Sequence, residues 1–335
     1  MTKAPSSRVV VITGASAGVG RATAQAFARE GAKIGLIARG HEGLEATRAE
    51  VVRLGGEALV LPLDVADAEA VERAAAAVEE AFGPIDVWVN NAMVSVFSPI
   101  AQMTAEEFAR VTAVTYLGTV HGTLAALRRM QPRDRGIIIQ VGSALAYRAI
   151  PLQSAYCAAK HAARGFTDSL RSELIHDGSR VRLTMVHLPA INTPQFDWTK
   201  SRLPRRAQPV PPIFQPEIAA DAILFCASHD RRELFVGLPS VKAILGNRVA
   251  PGALDHLLAS VAYDGQQTDM PKAADAPENL WHPVEGDRGA HGRFDDVAAT
   301  FSPELWFAKR RPFFEALGLG VLAVAALAVW KRLRR

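Results

Sequence analysis

A glycine-rich stretch near the start of the chain constrains the fold more than any other feature. Residues 8–12 are rich in β-branched side chains and predict a buried strand, and they run directly into the sequence TGASAGVG at residues 13–20. Residues 21–30 have apolar side chains at helical spacing and are followed by Gly31, which favours a helix end. This order predicts a site for the phosphates of a dinucleotide, because glycines permit close backbone approach and a helix N-terminus presents N–H groups. An ordinary glycine-rich turn is the alternative.

A second group of residues lies in the middle of the chain. Tyr156 and Lys160 are four residues apart, which places them on one face of a helix, one turn from each other. Ser143 follows residues 137–141, which predict a buried strand, and the end of such a strand is where open α/β sheets bind ligands. By itself the tyrosine–lysine spacing is also typical of a surface lysine beside a half-buried tyrosine, so this prediction depends on the glycine loop.

The chemistry of proton transfer explains why these three side chains belong together. A phenol has an ordinary pKa of about 10, which is too high for an efficient acid or base near neutral pH. We expect the ammonium group of Lys160 to favour the phenolate and to lower the pKa of Tyr156 by about 3 units, or about 4 kcal/mol. Tyr156 then transfers the proton, and Ser143 donates a hydrogen bond to the oxygen of the substrate.

Together these motifs resemble the short-chain dehydrogenase/reductase family. The glycine spacing is G-x-x-x-G-x-G rather than the commoner G-x-G-x-x-G, and the resemblance covers about residues 8–240. It implies an α/β fold, a doubly wound Rossmann fold with a seven-stranded parallel sheet, and an NAD(P)-dependent oxidoreductase that acts on CH–OH donors. The matching positions are Gly14, Ser16, Gly18, Val19 and Gly20 in the cofactor loop and Ser143, Tyr156 and Lys160 in the catalytic set.

The second predicted strand determines the choice of cofactor. Residues 33–38 end without a carboxylate that could bind the ribose 2′-hydroxyl of NAD, and Arg39 follows instead. A guanidinium group suits a 2′-phosphate, so we expect the cofactor to be NADP(H). The alternative is that Arg39 is a solvated loop residue.

The resemblance implies further cofactor contacts at the ends of the following strands. Met93 and Ala190 each replace a glycine that is usual in the family, and Met93 adds bulk and disfavours a positive φ at its position. Asp64 also has an alternative role as a helix N-cap. The expected contacts are Asp64 and Val65 at the adenine, Asn91 and Ala92 near the ribose, and Pro189 and Thr193 near the amide and phosphates, together with Tyr156 and Lys160.

Residues 104–130 are apolar at helical spacing and predict one long helix. The resemblance implies that this helix packs in a homodimer interface and carries an active-site asparagine, which helps to hold a water that links the lysine to solvent. The chain has Thr115 at that place. We expect Thr115 to retain a weaker form of this relay, since a threonine hydroxyl is shorter than an asparagine amide.

The substrate side is predicted to be apolar. Residues 194–216 are rich in proline and without periodicity, which is typical of a functional loop such as a lid. The candidate lining suggests a small lipophilic carbonyl compound or alcohol as substrate. The candidates are Met93, Phe97, Leu145, Tyr147, Phe196 and Trp198.

The C-terminal part divides into two further segments after a catalytic domain at residues 1–262. Residues 263–308 are polar and rich in Gly, Pro and Asp, which indicates a linker or a surface-wrapping tail without chemistry. Residues 309–335 contain an almost wholly apolar stretch, 313–330, whose 18 residues are just long enough for a bilayer core when helical. The alternatives are a helix packed on the domain or a dimer interface, and a helix lying in the membrane plane.

Charge and composition support this division. Seven Lys and Arg residues and one acidic residue lie within residues 309–335, while the whole chain has a net charge of only +4. The basic character therefore belongs to the tail and favours a lipid bilayer over nucleic acid as partner. We expect a membrane-associated protein whose catalytic domain faces the cytoplasm, without a signal peptide. The two cysteines fit a reducing compartment, and the nine histidines lack the spacing of metal ligands.

Three functions are compatible with these motifs. The first is an NADP(H)-dependent oxidoreductase that interconverts a carbonyl and an alcohol. The second is a dinucleotide-binding scaffold protein with an impaired active site, suggested by Met93 and Thr115. The third, an epimerase or dehydratase on the same fold, usually has a different glycine spacing. The intact set of Ser143, Tyr156 and Lys160 favours the first.

Overall fold

Seven strands pair in a single parallel sheet, as the sequence predicts. The structure, a computed structural model, describes residues 7–310. The order across the sheet is β7-β6-β5-β4-β1-β2-β3, and all pairs are parallel. The strands are β1 (Val9–Thr13), β2 (Lys33–Ala38), β3 (Glu57–Pro62), β4 (Val87–Asn90), β5 (Ile137–Ser143), β6 (Arg182–Leu188) and β7 (Glu233–Phe235).

Helices cover both faces of this sheet. One core contains apolar side chains of α1, α2 and α8, and the other contains those of α3, α5 and α6. This arrangement is the doubly wound α/β fold. The helices are α1 (Gly18–Ala28), α2 (His41–Arg53), α3 (Ala68–Phe82), α4 (Ala105–Thr112), α5 (Gly118–Met130), α6 (Ser154–His176), α7 (Gln195–Trp198), α8 (Pro216–Ser228), α9 (Leu238–Val249), α10 (Pro251–Gly265) and α11 (Pro303–Lys309).

The strand order reverses between β1 and β4, and this point of reversal opens a crevice at the carboxyl ends of the strands. Thr13 ties the two strand ends together. Its hydroxyl donates to the carbonyl of Val89 at 3.3 Å and accepts from the N–H groups of Asn91 and Ala92 at 2.9 and 3.0 Å. The two loops that follow β1 and β4 are therefore held side by side.

The prediction of one long helix at residues 104–130 needs refinement. The run at residues 104–130 is continuous, but a π-helical turn, Ala113–Leu117, separates α4 from α5. Further along the chain, α9 and α10 are separate helices. Pro251 has no N–H to donate to the preceding turn, so it begins a new helix instead of continuing α9.

A buried polar cluster lies behind the carboxyl end of β4. Trp88 Nε1 donates to Asn90 Oδ1 at 2.8 Å, and Asn90 Nδ2 donates to Gln140 Oε1 at 2.9 Å. Asn90 Nδ2 and Gln140 Nε2 both donate to the hydroxyl of Thr123, at 3.0 and 2.9 Å. Gly122 allows this close approach, since a Cβ there would lie 2.6 Å from Trp88 Nε1.

The C-terminal segment wraps around the domain. Strand Gln267–Pro271 pairs antiparallel with Arg205–Ala207, and Lys309 at the end of α11 contacts both carboxylate oxygens of Asp221 on α8, at 2.7 and 2.8 Å. The apolar stretch at 313–330 lies outside the described residues. Within residues 7–310 no helix has the length and apolar character needed to span a bilayer.

Candidate active site

Both sequence motifs line one cleft of about 480 Å³ at the carboxyl ends of the strands. The glycine loop forms one end, and the ends of β5 and β6 form the other. Gly20 and Thr115 are not part of the lining. The predicted residues in the wall are Gly14, Ser16, Gly18, Val19, Arg39, Asp64, Val65, Asn91, Ala92, Ser143, Tyr156, Lys160, Pro189 and Thr193.

The glycine loop has the geometry of a phosphate cradle. Gly14 and Gly18 have φ angles of +69° and +56°, which side chains other than glycine rarely adopt. A Cβ on Gly20 would clash with the carbonyl oxygen of Gly14 and lie 2.7 Å from Asn91 Nδ2. The three glycines therefore allow the loop to fold tightly at the N-terminus of α1, and the loop fits the pyrophosphate of a dinucleotide.

Asn91 braces this loop from the neighbouring strand. Its side-chain amide donates to the carbonyl of Thr13 at 2.9 Å and to that of Gly14 at 3.3 Å. The main chain of Asn91, Ala92 and Met93 forms part of the cleft wall next to the loop.

Ser143 and Tyr156 meet at the other end of the cleft. Ser143 is the last residue of β5, is buried, and accepts a hydrogen bond at Oγ from the N–H of Leu145 at 3.1 Å. Tyr156 lies in the first turn of α6 and is half-buried. Burial raises the pKa of Tyr156 above its ordinary value, and a side-chain hydrogen bond with Ser143 partly opposes this rise.

The predicted lowering of the tyrosine pKa by Lys160 is therefore not observed. Lys160 lies one helical turn beyond Tyr156, with its Nζ 5.6 Å from the centre of the phenol ring. It is itself buried, which lowers its own pKa to about 8. Its Nζ donates to the carbonyl of Val141 at 2.7 Å rather than to the phenol, so removal from water dominates the pKa of Tyr156.

Thr115 is fully buried on the π-helical turn and faces the loop after β4. Its hydroxyl donates to the carbonyl of Val94 at 2.9 Å and accepts from the N–H of the same residue at 3.1 Å. Thr115 thus lies behind the cleft wall, where its hydroxyl holds the main chain of Val94. The residue before it, Val114, lines the cleft.

Arg39 follows β2 and lines the cleft as predicted, but its guanidinium group is already engaged. It donates to three main-chain carbonyls of the C-terminal segment, those of Asn279, Leu280 and Trp281, the last two at 3.3 and 3.0 Å. Burial lowers the pKa of Arg39. Any phosphate at this site would share the guanidinium group with these carbonyls.

Asp64 lines the cleft at the end of β3 with both oxygens paired. One oxygen accepts from the N–H of Ala66 at 3.0 Å, and the other accepts from the guanidinium group of Arg110. The alternative that Asp64 is a helix N-cap is wrong, because Asp67 caps α3 by accepting from the N–H of Ala70.

Comparison with known proteins agrees with this geometry. The sequence matches the short chain dehydrogenase family over residues 8–202. It is 32% identical to an uncharacterized oxidoreductase of Bacillus subtilis, YxnA, over 98% of this chain and 91% of that protein. It is 37% identical to levodione reductase of Leifsonia aquatica over 60% of this chain and 77% of that protein.

A solved structure supports the same assignment. A metagenomic short-chain oxidoreductase in complex with NADP superposes with a TM-score of 0.58 at 29% identity, over 68% of this chain and 96% of that one. The chain belongs to the short-chain dehydrogenase family. It is accordingly a dehydrogenase or reductase that uses a nicotinamide dinucleotide.

The substrate side of this short-chain dehydrogenase is largely apolar. Five of the six candidate residues line the cleft: Met93, Phe97, Leu145, Phe196 and Trp198. Tyr147 does not, which corrects the prediction. It lies after a 3₁₀ turn and donates to Glu233 Oε1 at 2.8 Å, and burial raises its pKa to about 12. Apolar side chains that the sequence reasoning missed complete this end: Ile150, Val210, Leu258 and Val261.

Two other parts of the short-chain dehydrogenase cleft escaped the sequence analysis. Ser95 is buried and lines the cleft, and among the described residues its hydroxyl has no hydrogen-bond partner. The segment expected to be without chemistry also reaches the cleft. Its lining residues are Asn279, Pro283, Val284, Gly286 and Arg288. In the sequence, Ser95 is only a serine four residues after Asn91, and the segment is only a long stretch rich in glycine. Many surface loops share both features, so neither one signals a position in the cleft.

Proposed function

We propose that this protein is an NADP(H)-dependent oxidoreductase that interconverts a lipophilic carbonyl compound and its alcohol. The observation that carries the proposal is that Ser143, Tyr156 and Lys160 line the same cleft as the glycine loop. When bound, the nicotinamide would supply or accept a hydride at the carbon that bears the oxygen.

Tyr156 has the properties of a proton donor in the direction of reduction. Burial raises its pKa, so it is a neutral phenol at physiological pH. As the carbonyl oxygen becomes an alkoxide, the phenol proton moves to that oxygen and a tyrosinate remains. Ser143, which lines the same cleft, donates a hydrogen bond that holds the substrate oxygen in place.

Lys160 stabilises the tyrosinate that proton transfer leaves behind. Its ammonium group lies beside the phenol ring in a buried setting, where screening by water is weak. The hydrogen bond to Val141 fixes the position of the charge at the end of β5, close to Ser143.

The preference for NADP(H) rests on Arg39 and on the similarity to the NADP complex of the metagenomic relative. Arg39 lines the cleft directly after β2, and β2 itself ends without a carboxylate. Apolar side chains such as Phe97, Phe196 and Trp198 favour a lipophilic substrate.

The test is NADPH oxidation by the full-length protein, kept in mild detergent, with a panel of apolar ketones, aldehydes and quinones. We expect turnover that Tyr156→Phe reduces by at least about a hundredfold, since general acid catalysis contributes about 10²–10⁴-fold. Turnover confined to small polar carbonyls would contradict the lipophilic substrate. Tight NADPH binding without turnover on any compound would favour the scaffold alternative.

Two features of the assembly are also proposed. Exposed apolar side chains on the α4–α5 run, Phe108, Leu117 and Leu124, suit a homodimer interface, which light scattering after gel filtration would detect. Membrane attachment through residues 313–330, with the catalytic domain on the cytoplasmic side, rests on sequence alone. Recovery of the full-length protein in the soluble fraction without detergent would contradict the attachment.

A further inference from the structure

Residues 279–292 form a strap across the cofactor end of the cleft. Four of the five cleft-lining residues that it contributes, Pro283 to Arg288, share the wall with Ser16, Gly18 and Gly43. Pro283 also approaches Gly40, where an added Cβ would lie 3.5 Å from the proline Cβ. The strap therefore runs beside the end of β2 and the start of α1, which are the parts of the fold that hold the phosphates of a dinucleotide.

The first end of the strap is anchored by two arginines. Arg39 donates to the carbonyls of residues 279–281, and Arg110 Nε donates to the carbonyl of Leu280 at 3.0 Å. The Leu280 side chain is fully buried in the core. This end is thus attached to the domain by both polar and apolar contacts.

The second end is held by an ion pair with a buried arginine. Arg21 on α1 is only 3% exposed and lies between Glu50 of α2, at 2.8 Å, and Asp287 of the strap. The N–H of Gly18 donates to the carbonyl of Gly289 at 3.1 Å, and the N–H of Gly286 donates to Glu42 Oε2 at 2.7 Å. These bonds fix the strap on both sides of residue 288.

Arg288 is a cation in the wall of the cleft at its cofactor end. It lies between the anchored residues Asp287 and Gly289, lines the cleft, and donates from Nε to the carbonyl of Glu285 at 3.1 Å. Among residues 7–310, no hydrogen bond engages its two terminal nitrogens, whereas those of Arg39 donate to strap carbonyls. Lys160, the remaining cation of the wall, is at the catalytic end.

We propose that the strap is part of the dinucleotide site and that Arg288 binds a phosphate group of the cofactor. This rests on the proposed NADP(H)-dependent function. A guanidinium group pairs with two phosphate oxygens at once, so the strap would close the site by charge pairing as well as by covering it. The phosphate is either the 2′-phosphate or the pyrophosphate, and comparison of NADPH with NADH distinguishes them.

The test is the dissociation constant of NADPH and of NADH, measured by calorimetry on the full-length protein without substrate. We expect Arg288→Ala to weaken NADPH binding by about tenfold or more, the usual range for a hydrogen bond to a charged group. The matched control is Arg248→Ala on α9, an exposed arginine that does not line the cleft. It should leave both constants unchanged.

The NADH titration assigns the phosphate. An equal loss for NADH places Arg288 at the pyrophosphate, and a loss confined to NADPH places it at the 2′-phosphate. Asp287→Asn should weaken binding as well, because it loosens the strap next to Arg288. If Arg288→Ala binds both dinucleotides within about twofold of the native protein, the proposal for the strap is wrong while the proposed function stands. If the native protein binds neither dinucleotide, both are wrong.

Discussion

Lys160 donates a 2.7 Å hydrogen bond from Nζ to the carbonyl oxygen of Val141, two residues before Ser143. One buried contact thus joins the helix that carries Tyr156 to the strand that carries the serine. The lysine has a folded-state pKa of about 8, because burial disfavours its charged form.

The rate of carbonyl reduction should fall as the pH rises above about 8. Below this value Lys160 is an ammonium group that stabilises the tyrosinate, and above it the lysine is neutral. The pKa of Tyr156 is raised above its ordinary value, so the tyrosine stays protonated as the pH passes through about 8. The inflection in the pH profile of the rate therefore belongs to the lysine. Single-turnover hydride transfer measured from pH 6 to pH 10 tests this. Lys160→Arg should remove the inflection, because an arginine stays charged; an inflection that persists in this variant would assign it to another group.

Replacement of Arg39 should change the cofactor preference. Arg39→Asp is expected to lower the ratio of NADPH to NADH affinity by about tenfold to a hundredfold, since it replaces a phosphate partner with a carboxylate. The control is Glu278→Gln, which weakens the bond that Lys200 makes to the residue preceding Asn279, at a position outside the cleft wall. An affinity ratio that changes equally in both variants would mean that Arg39 acts through the C-terminal segment and not through the 2′-phosphate.

Thr115 should matter for stability through its clamp on Val94. Thr115→Val keeps the shape of the side chain but leaves a buried N–H and a buried carbonyl without their partner. We expect a loss of about 1–3 kcal/mol in the free energy of unfolding, measured with urea, together with lower turnover. Thr115→Ser retains the hydroxyl and should retain most of the stability and most of the turnover. A larger loss in Thr115→Ser than in Thr115→Val would contradict this role, because valine keeps the methyl group of threonine and serine lacks it.

A methyl group at Gly122 should disrupt the polar cluster behind β4. In Gly122→Ala the new Cβ would clash with the side chain of Asn90 and lie 2.6 Å from Trp88 Nε1. We expect a loss of at least about 2 kcal/mol, because overpacking is added to broken buried hydrogen bonds. Gly165→Ala is the matched control on α6, since no atom lies within 4 Å of the added Cβ. It should stabilise the protein by about 0.5–1 kcal/mol.

The sequence predicts those parts of the fold that depend on local patterns. The strands follow from short apolar runs, several of them rich in β-branched residues, and the glycine loop follows from a strand and a helix directly beside it. Tyr156 and Lys160 are one turn apart on a single helix, so their shared position in the cleft also needs only local geometry.

Contacts between distant residues could not be predicted in this way. Asp287 meets Arg21 across 266 positions of the chain, and the segment that carries it has neither helical nor strand periodicity. The prediction that the pKa of Tyr156 is lowered was wrong for a related reason. Spacing on a helix shows that a lysine is near, but it does not show that burial outweighs its charge or that its hydrogen bond goes to Val141.

The buried cluster around Asn90 also determines how β4 and β5 align. Asn90 and Gln140 are register partners on these strands, and their side chains bond to each other. A slip of one strand by one residue would put the two amides on opposite faces of the sheet and leave them without each other as partners, so competing alignments carry a penalty that an apolar pair would not impose. Ser143 lies three residues beyond Gln140 on the same strand. Hydrogen bonds among residues that do not line the cleft therefore help to set how deep the serine lies in it.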